Sequence, residues 1–279
     1  FRVSRCRDFN RQGCLQTGPK MGWRHQAALQ PQKSGNSLAV QTAPMQDAKS
    51  AFADWILTRV GGLRAPCCRD WNRQGDPPTG SEARAMTENV LVTGASTGFG
   101  MEIALTLAQR GFRVYATMRD LERRTALEAA ARARGVEACV LRLDVTDPDS
   151  IAQAIATMVS DGGVYGVVNN AGVFLRGYFE DLLDAEIRQV FETNLFGTVN
   201  LLEAVRVTPG VRAVVIVTSD KCYREPHQAC READPLGGDE PYAASKACAE
   251  IVTHAWRTSF LPPRSGIGIA TARAGNVIG

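Results

Sequence analysis

From residue 89 onward the chain alternates between two hydrophobic patterns. Short continuous apolar runs, such as Val90, Leu91 and Val92, are followed by longer segments in which apolar residues return every three or four positions. The first pattern reads as strands buried on both faces, the second as helices with one apolar stripe. A strand over 90–92 leads into a helix marked by Ile103, Leu105, Leu107 and Ala108, which Gly111 stops. A strand over 112–117 precedes a helix over about 121–133, rich in Ala, Glu and Arg. A third strand over 138–143 runs into Asp144 and Val145. The next helix has its cap near Asp147 to Asp149, with Pro148 in the first turn. A fourth strand over 164–168 opens into Asn169, Asn170, Ala171 and Gly172, and a fifth runs over 213–218.

Strand and helix alternating in this way predict an α/β fold, a doubly wound parallel sheet of the Rossmann type with helices on both faces. Residues 87–279 make up this domain, with six parallel strands in the order 3-2-1-4-5-6. Residues 1–86 carry no sustained period and are rich in Gln, Arg, Gly and Pro, apart from a short helical pattern over about 48–60. They read as a disordered leader, or as an extension upstream of a natural start at Met86. Within them CRDFNRQG, beginning at Cys6, returns as CRDWNRQG, beginning at Cys68. Cys6 and Cys14 resemble half of an RNA-binding zinc finger, but the remaining ligands are missing and His25 lies at no useful spacing.

Charge sharpens that boundary. Residues 1–86 hold 13 Lys/Arg against 6 Asp/Glu, whereas the remainder holds 19 against 23, so the net +3 of the chain conceals a basic leader and an acidic domain. The basic character therefore belongs to the leader, and no nucleic-acid partner is expected. No apolar run reaches the length of a membrane span, so no membrane partner is expected either. Cys139, Cys222, Cys230 and Cys248 lack metal-ligand spacing with a histidine, and no apolar signal core opens the chain. Free thiols in a reducing cytoplasm follow, with no metal and no disulfide.

The chemistry is concentrated after the first strand. Gly94, Gly98 and Gly100 in TGASTGFG let the backbone turn sharply, while the new helix offers unpaired N–H groups and the positive end of its dipole to a pyrophosphate. Arg119, at the end of the second strand, suits the 2′-phosphate of NADP; Asp120 beside it keeps NAD open. Tyr242 and Lys246 stand four apart in PYAASK, one turn apart on one helix face. A neighbouring ammonium favours a phenolate and lowers the phenol's pKa, which equips the pair to move a proton at a sugar or steroid hydroxyl.

TGASTGFG, the Asp144–Val145 pair, NNAG ending at Gly172, and Asn194 in ETNLFGT together resemble the short-chain dehydrogenase/reductase family. That resemblance implies that Gly94, Ser96, Gly98, Phe99 and Gly100 hold the dinucleotide. It further implies that Asp144 and Val145 meet the adenine, that Asn170, Ala171 and Gly172 line the cofactor, and that Asn194 supports a proton relay. The glycine spacing and the MRD at 118–120 resemble the single-domain branch, which uses NADP on alcohols and ketones. Helices around 183–205 and 242–260 pair subunits in the family, which implies a homodimer.

The second half resembles a different branch. Between Ser219 and Tyr242 lie 22 residues, more than the single-domain branch has. VTSDKCY, EADPLGGDEPYAASKACAE and ARAGNVIG resemble the extended nucleotide-sugar dehydratases, most closely the CDP-glucose 4,6-dehydratases. In those enzymes the residues at Asp220 and Lys221 remove water across C5 and C6 of the hexose. Those at Tyr242 and Lys246 oxidise C4, and Ser219 polarises its oxygen. Asn276 and Val277 would lie near the substrate and the nicotinamide. The chemistry is self-consistent, because a 4-keto group acidifies the C5 proton and hydride taken from C4 can return to C6 without net redox. The extended branch continues with a substrate domain that is absent here, the sequence ending at Gly279. The leading expectation is thus a partial CDP-glucose 4,6-dehydratase using NAD or NADP. The alternatives are an NADP-dependent alcohol or ketone oxidoreductase, and a truncated cofactor-binding domain without activity.

Overall fold

A computed structural model describes residues 88–224, 230–261 and 266–275. The expectations placed on residues 1–87, and those on Asn276 and Val277, lie outside the described residues.

The described elements follow the alternation read from the sequence. β1 (Asn89–Val92) leads through a glycine turn into α1 (Gly98–Gln109), and then come β2 (Arg113–Met118), α2 (Thr125–Arg134), β3 (Cys139–Arg142), α3 (Pro148–Ser160) and β4 (Gly166–Asn169). α4 (Asp184–Phe191) runs through a π-helical turn, Glu192–Phe196, into α5 (Gly197–Val207). β5 (Ala213–Ser219), α6 (Pro241–Phe260) and β6 (Gly268–Ala274) complete the domain. All six strands pair in parallel in the order β3-β2-β1-β4-β5-β6, so the sheet is doubly wound and reverses direction of growth between β1 and β4. That reversal opens a crevice at the carboxyl ends of the strands, where such sheets bind ligands.

The period of two along β1 decides how the helices are layered. Val90 and Val92 join a core with Ile103, Leu105 and Leu107 of α1 and Leu127 of α2. Leu91, between them, points to the opposite face and packs among Ile151 and Met158 of α3, Leu201 and Leu202 of α5, and Trp256 of α6. Both faces are covered, which is why the strand shows no polar alternation. Local chemistry fixes the helix ends: the Asp147 carboxylate accepts from the N–H groups of Asp149 and Ser150 ahead of Pro148, and Gly135 adopts φ +65° to end α2.

Two elements differ from the sequence reading. The helix expected over 121–133 begins as a separate 3₁₀ turn, Leu121–Arg124, because the Asp120 carboxylate binds the Glu122 N–H and tightens the first turn. The helix expected over 183–205 is broken by the π turn, inside which Asn194 lies. Among the described residues no helix is long and apolar enough to cross a membrane.

Candidate active site

The glycine turn after β1 is closed from below by β4. Thr93 N–H donates to the Val168 carbonyl at 3.0 Å, and the Asn170 amide donates to the carbonyls of Thr93 and Gly94 at 3.0 and 3.1 Å. Gly94 has φ +67° and Gly98 φ +63°, conformations that L side chains resist. A Cβ on Gly94 would lie 2.8 Å from Ala171 Cα; one on Gly100 would lie 2.3 Å from the Gly94 carbonyl oxygen. The turn therefore has no room for side chains at Gly94 and Gly100, while Gly98 is held by its backbone conformation alone. α1 then starts without a capping side chain at Thr97 and with no acidic residue in its first turn, so no carboxylate there offsets the positive field of its N-terminus. Ser96 is half-buried in the turn, and Phe99 packs against the core beneath it. A cradle of this kind fits a dinucleotide pyrophosphate.

The neighbouring strand ends supply the flanks. Arg119, just past β2, is exposed and makes no hydrogen bond or ion pair with another described residue. Asp120 directs its carboxylate to the Glu122 N–H at 2.9 Å. After β3, Asp144 accepts from both the N–H and the hydroxyl of Thr146, at 2.9 and 2.8 Å. Val145 is buried against Gly197 in α5, where a Cβ would come within 2.6 Å of it.

On the other side of β1 a continuous hydrogen-bond chain joins the glycine turn to α6. The Thr93 hydroxyl donates to Asn169 Oδ1 at 3.0 Å, Asn169 Nδ2 to the Thr198 hydroxyl at 2.9 Å, and Thr198 to the Asn194 carbonyl at 2.8 Å. The Asn194 side chain grips both the N–H and the carbonyl of Val173, and donates to Ser245 Oγ at 2.9 Å. Ser245 in turn donates to the Tyr242 carbonyl at 2.7 Å. The first turn of α6, which carries the phenol, is thereby tied to β1 and β4.

Tyr242, Ser219 and Asp220 converge. Ser219 is buried at the end of β5, donates to Asp220 Oδ1 at 3.1 Å and lies beside the Tyr242 phenol. Burial raises the phenol's pKa; the contact with Ser219 pulls it back in part, while Asp220 and Glu240 push it further up. This corrects the expectation that Lys246 lowers it: desolvation of the phenol decides the direction here. Lys246 is itself buried, its Nζ donating to the Val217 carbonyl at 3.1 Å, and burial brings its pKa down to about 8 against a smaller upward pull from Glu250 and Cys222. A Cβ on Gly172 would fall 3.1 Å from this amine and 3.2 Å from Asn194 Oδ1, so the glycine keeps a space open between them.

Lys221 faces the same region. Its ammonium lies 3.6 Å from Glu240 and 4.7 Å above the Phe174 ring, and Phe174 meets Tyr242 edge-on at 4.8 Å between centroids. Phe174 is half exposed and forms an apolar wall beside the phenol. The sequence reading had no role for Phe174, Thr198 or Ser245; the spacing of Thr198 four residues after Asn194 on a helix was the one signal that could have found a partner. Arg119 and Asp144 follow β2 and β3, whereas Val145, packed on Gly197, reaches the helix that continues from the Asn194 turn. Among the described residues no cluster of His, Cys, Asp and Glu could hold a metal ion.

Comparison with known proteins adds to this geometry. The family model described as short chain dehydrogenase matches residues 88–277. A CDP-glucose 4,6-dehydratase of Salmonella typhimurium is 50% identical over 97 residues, 33% of this chain and 27% of that protein. Retinol dehydrogenase 8 of Homo sapiens is 40% identical over 144 residues, 48% of this chain and 45% of that one. The chain thus spans less than half the length of either curated relative. Among solved structures, an actinorhodin polyketide ketoreductase variant with NADPH is 30% identical with a TM-score of 0.57, covering 66% of this chain and 69% of its own.

Proposed function

Given that the chain belongs to the short-chain dehydrogenase family, we propose that it is an NADP-dependent oxidoreductase that interconverts a carbonyl and an alcohol. The observation that carries this reading is the gathering of Ser219, buried at the end of β5 and bonded to Asp220, beside the Tyr242 phenol and one helical turn from a buried lysine, while Arg119 across β1 meets no partner among the described residues. Gly94, Ser96, Gly98, Phe99 and Gly100 hold the pyrophosphate, with Asn170, Ala171 and Gly172 beside it and Asp144 and Val145 at the adenine. A nicotinamide dinucleotide supplies hydride exchange with the substrate carbon when bound. Tyr242 gives its proton to the substrate oxygen on reduction and takes it back on oxidation, and Ser219 orients that oxygen. Lys246, one turn further along α6, anchors its amine on the Val217 carbonyl near the end of β5. Asn194, through Ser245, fixes the turn that carries the phenol.

Two features favour NADP over NAD. Arg119 meets no partner among the described residues and suits a 2′-phosphate, whereas Asp120, the group that would bind ribose hydroxyls, already caps the turn after β2. The Phe174 wall beside Tyr242 suits an apolar ketone.

A second reading, a nucleotide-sugar 4,6-dehydratase, is favoured by the 50% identity to the CDP-glucose enzyme and by Asp220 next to Ser219. In that reading Asp220 and Lys221 serve as acid and base. Lys221 argues for the first reading, because its ammonium is already engaged by Glu240 and Phe174. Pairing of two subunits through the α4 to α5 region and α6 would cover Phe196 and Ile251, each at least half exposed. The free thiols of Cys139, Cys222, Cys230 and Cys248 accord with a cytoplasmic setting.

One experiment separates the readings. NADPH oxidation on a panel of apolar ketones, with CDP-glucose inert, is the expected result. Formation of a 4-keto sugar from CDP-glucose deuterated at C4, with the label moved to C6, would establish the dehydratase instead. Cofactor-induced thermal stabilisation without turnover of either would leave a binding domain alone.

A further inference from the structure

The proposed chemistry gives no role to a buried charge close to Lys246. Glu250 lies one turn beyond Lys246 on α6 and is 5% exposed. Four donors surround its carboxylate: Thr218 at 2.5 Å, Thr271 at 2.8 Å, and the Nε and Nη2 of Arg273, each at 2.9 Å. Thr218 belongs to β5, and Thr271 and Arg273 belong to β6. Arg273 continues to the Tyr223 hydroxyl at 2.5 Å, which reaches the segment just after Asp220 and Lys221.

The two charges of α6 rest on consecutive residues of one strand. Lys246 binds the Val217 carbonyl and Glu250 the Thr218 hydroxyl, and the next residue along β5 is Ser219. Ion pairs this deep are not a general source of stability, since replacing both members with neutral groups is often harmless. Their position relative to a reacting group is then the more informative property.

From this geometry we propose that Glu250 is a positioning residue for Lys246: its carboxylate, fixed by Thr218, Thr271 and Arg273, holds α6 on β5 and keeps the neighbouring amine protonated in its buried slot. The inference rests on the reading of Tyr242 and Lys246 as the working pair. The titratable groups that act on the amine are Glu250 on its own helix and Cys222 in the turn after β5; Arg273 on β6 binds the Glu250 carboxylate, and Asn194 and Gly172 add no charge. Burial pushes the Cys222 thiol up to about 12, so it is neutral near neutral pH, and Glu250 supplies the negative charge that opposes desolvation of the amine. Without that charge the amine loses its proton more readily.

The test reads the amine itself, in protein free of cofactor and substrate. Lysine labelled with ¹³C at Cε is followed by NMR through a pH titration, with Lys246→Met assigning the signal. Glu250→Gln is expected to lower the Lys246 midpoint by about one unit or more. Thr271→Val, which removes a hydrogen bond and keeps the charge, is expected to lower thermal stability and leave the midpoint in place. If Glu250→Gln does not fold because Arg273 is left uncompensated, the neutral double variant Glu250→Gln/Arg273→Gln is measured instead and is expected to lower the midpoint by a smaller amount, since loss of the Arg273 cation offsets part of the effect. A midpoint unchanged from wild type in whichever of these folds would overturn the proposal and reduce Glu250 to a structural tie. Failure of the oxidoreductase reading is seen separately, as absence of NADPH turnover in wild type, and leaves this titration unaffected.

Discussion

Replacing Lys246 with Met should make the protein more stable while removing its activity, because the lysine is held where its charge is poorly solvated. The amine falls from an ordinary 10.5 to about 8 on folding, so below pH 8 the native state carries a charge that the unfolded chain solvates better. A difference of that size corresponds to about 3 kcal/mol, and the pull of Glu250 is already contained in it. Methionine fills a similar volume but leaves the Val217 carbonyl without its donor, which costs about 1 kcal/mol. The net expectation is ~2 kcal/mol of stabilisation at pH 7, a rise of roughly 5 °C in Tm for a domain of this size. The pH dependence identifies the cause. Between pH 8 and 10.5 the unfolded state binds more protons at this residue than the native state, so wild-type stability gains with rising pH across that window. The Met variant lacks this contribution, and its advantage is full below pH 8 and gone above 10.5. Denaturant unfolding of both proteins from pH 6.5 to 10.5, followed by circular dichroism, measures the difference. A Met variant less stable than wild type at pH 7, or an advantage that does not shrink with pH, would refute the assignment of a desolvated amine.

The other predictions concern the cofactor side. Arg119→Ala should weaken NADPH binding about 10- to 100-fold, the worth of a charge-assisted contact, and leave NADH affinity unchanged in calorimetric titration; an equal loss for both would remove Arg119 from the 2′-phosphate. Gly100→Ala gains about 1 kcal/mol of helix propensity but forces a Cβ to within 2.3 Å of the Gly94 carbonyl oxygen and 2.4 Å of the Asn170 amide. Overpacking against backbone outweighs the gain, so a net loss of about 2 kcal/mol in denaturant unfolding is expected, together with loss of saturable NADPH binding.

The architecture was legible because strands covered on both faces leave continuous apolar runs, such as Val90 to Val92, and because Gly94, Gly98 and Gly100 mark a turn with strained backbone at the first two and no space for a Cβ at Gly94 and Gly100. The order of the six strands followed from that alternation. What the sequence did not display depends on distant segments meeting. Nothing in the residues of 192–196 separates a π turn from an ordinary helix, yet Asn194 occupies that turn. The pKa of Tyr242 was read from its helical neighbour, whereas burial and the carboxylates of Asp220 and Glu240 set its direction. The Glu250–Arg273 pair joins residues from α6 and β6 that share no local pattern. The chain from Thr93 through Asn169, Thr198, Asn194 and Ser245 to Tyr242 likewise exists only once the sheet has closed.

The central claim is that Tyr242 protonates the oxygen of a carbonyl substrate while NADPH reduces its carbon. Turnover of NADPH deuterated at the transferring position, with product analysed by mass spectrometry in wild type and Tyr242→Phe, measures this directly. One deuterium on the product carbinol carbon from wild type, and none from a Tyr242→Phe protein that still binds NADPH, is the expected result. Label transfer that survives the substitution, or NADPH consumption without label in the product, would contradict it.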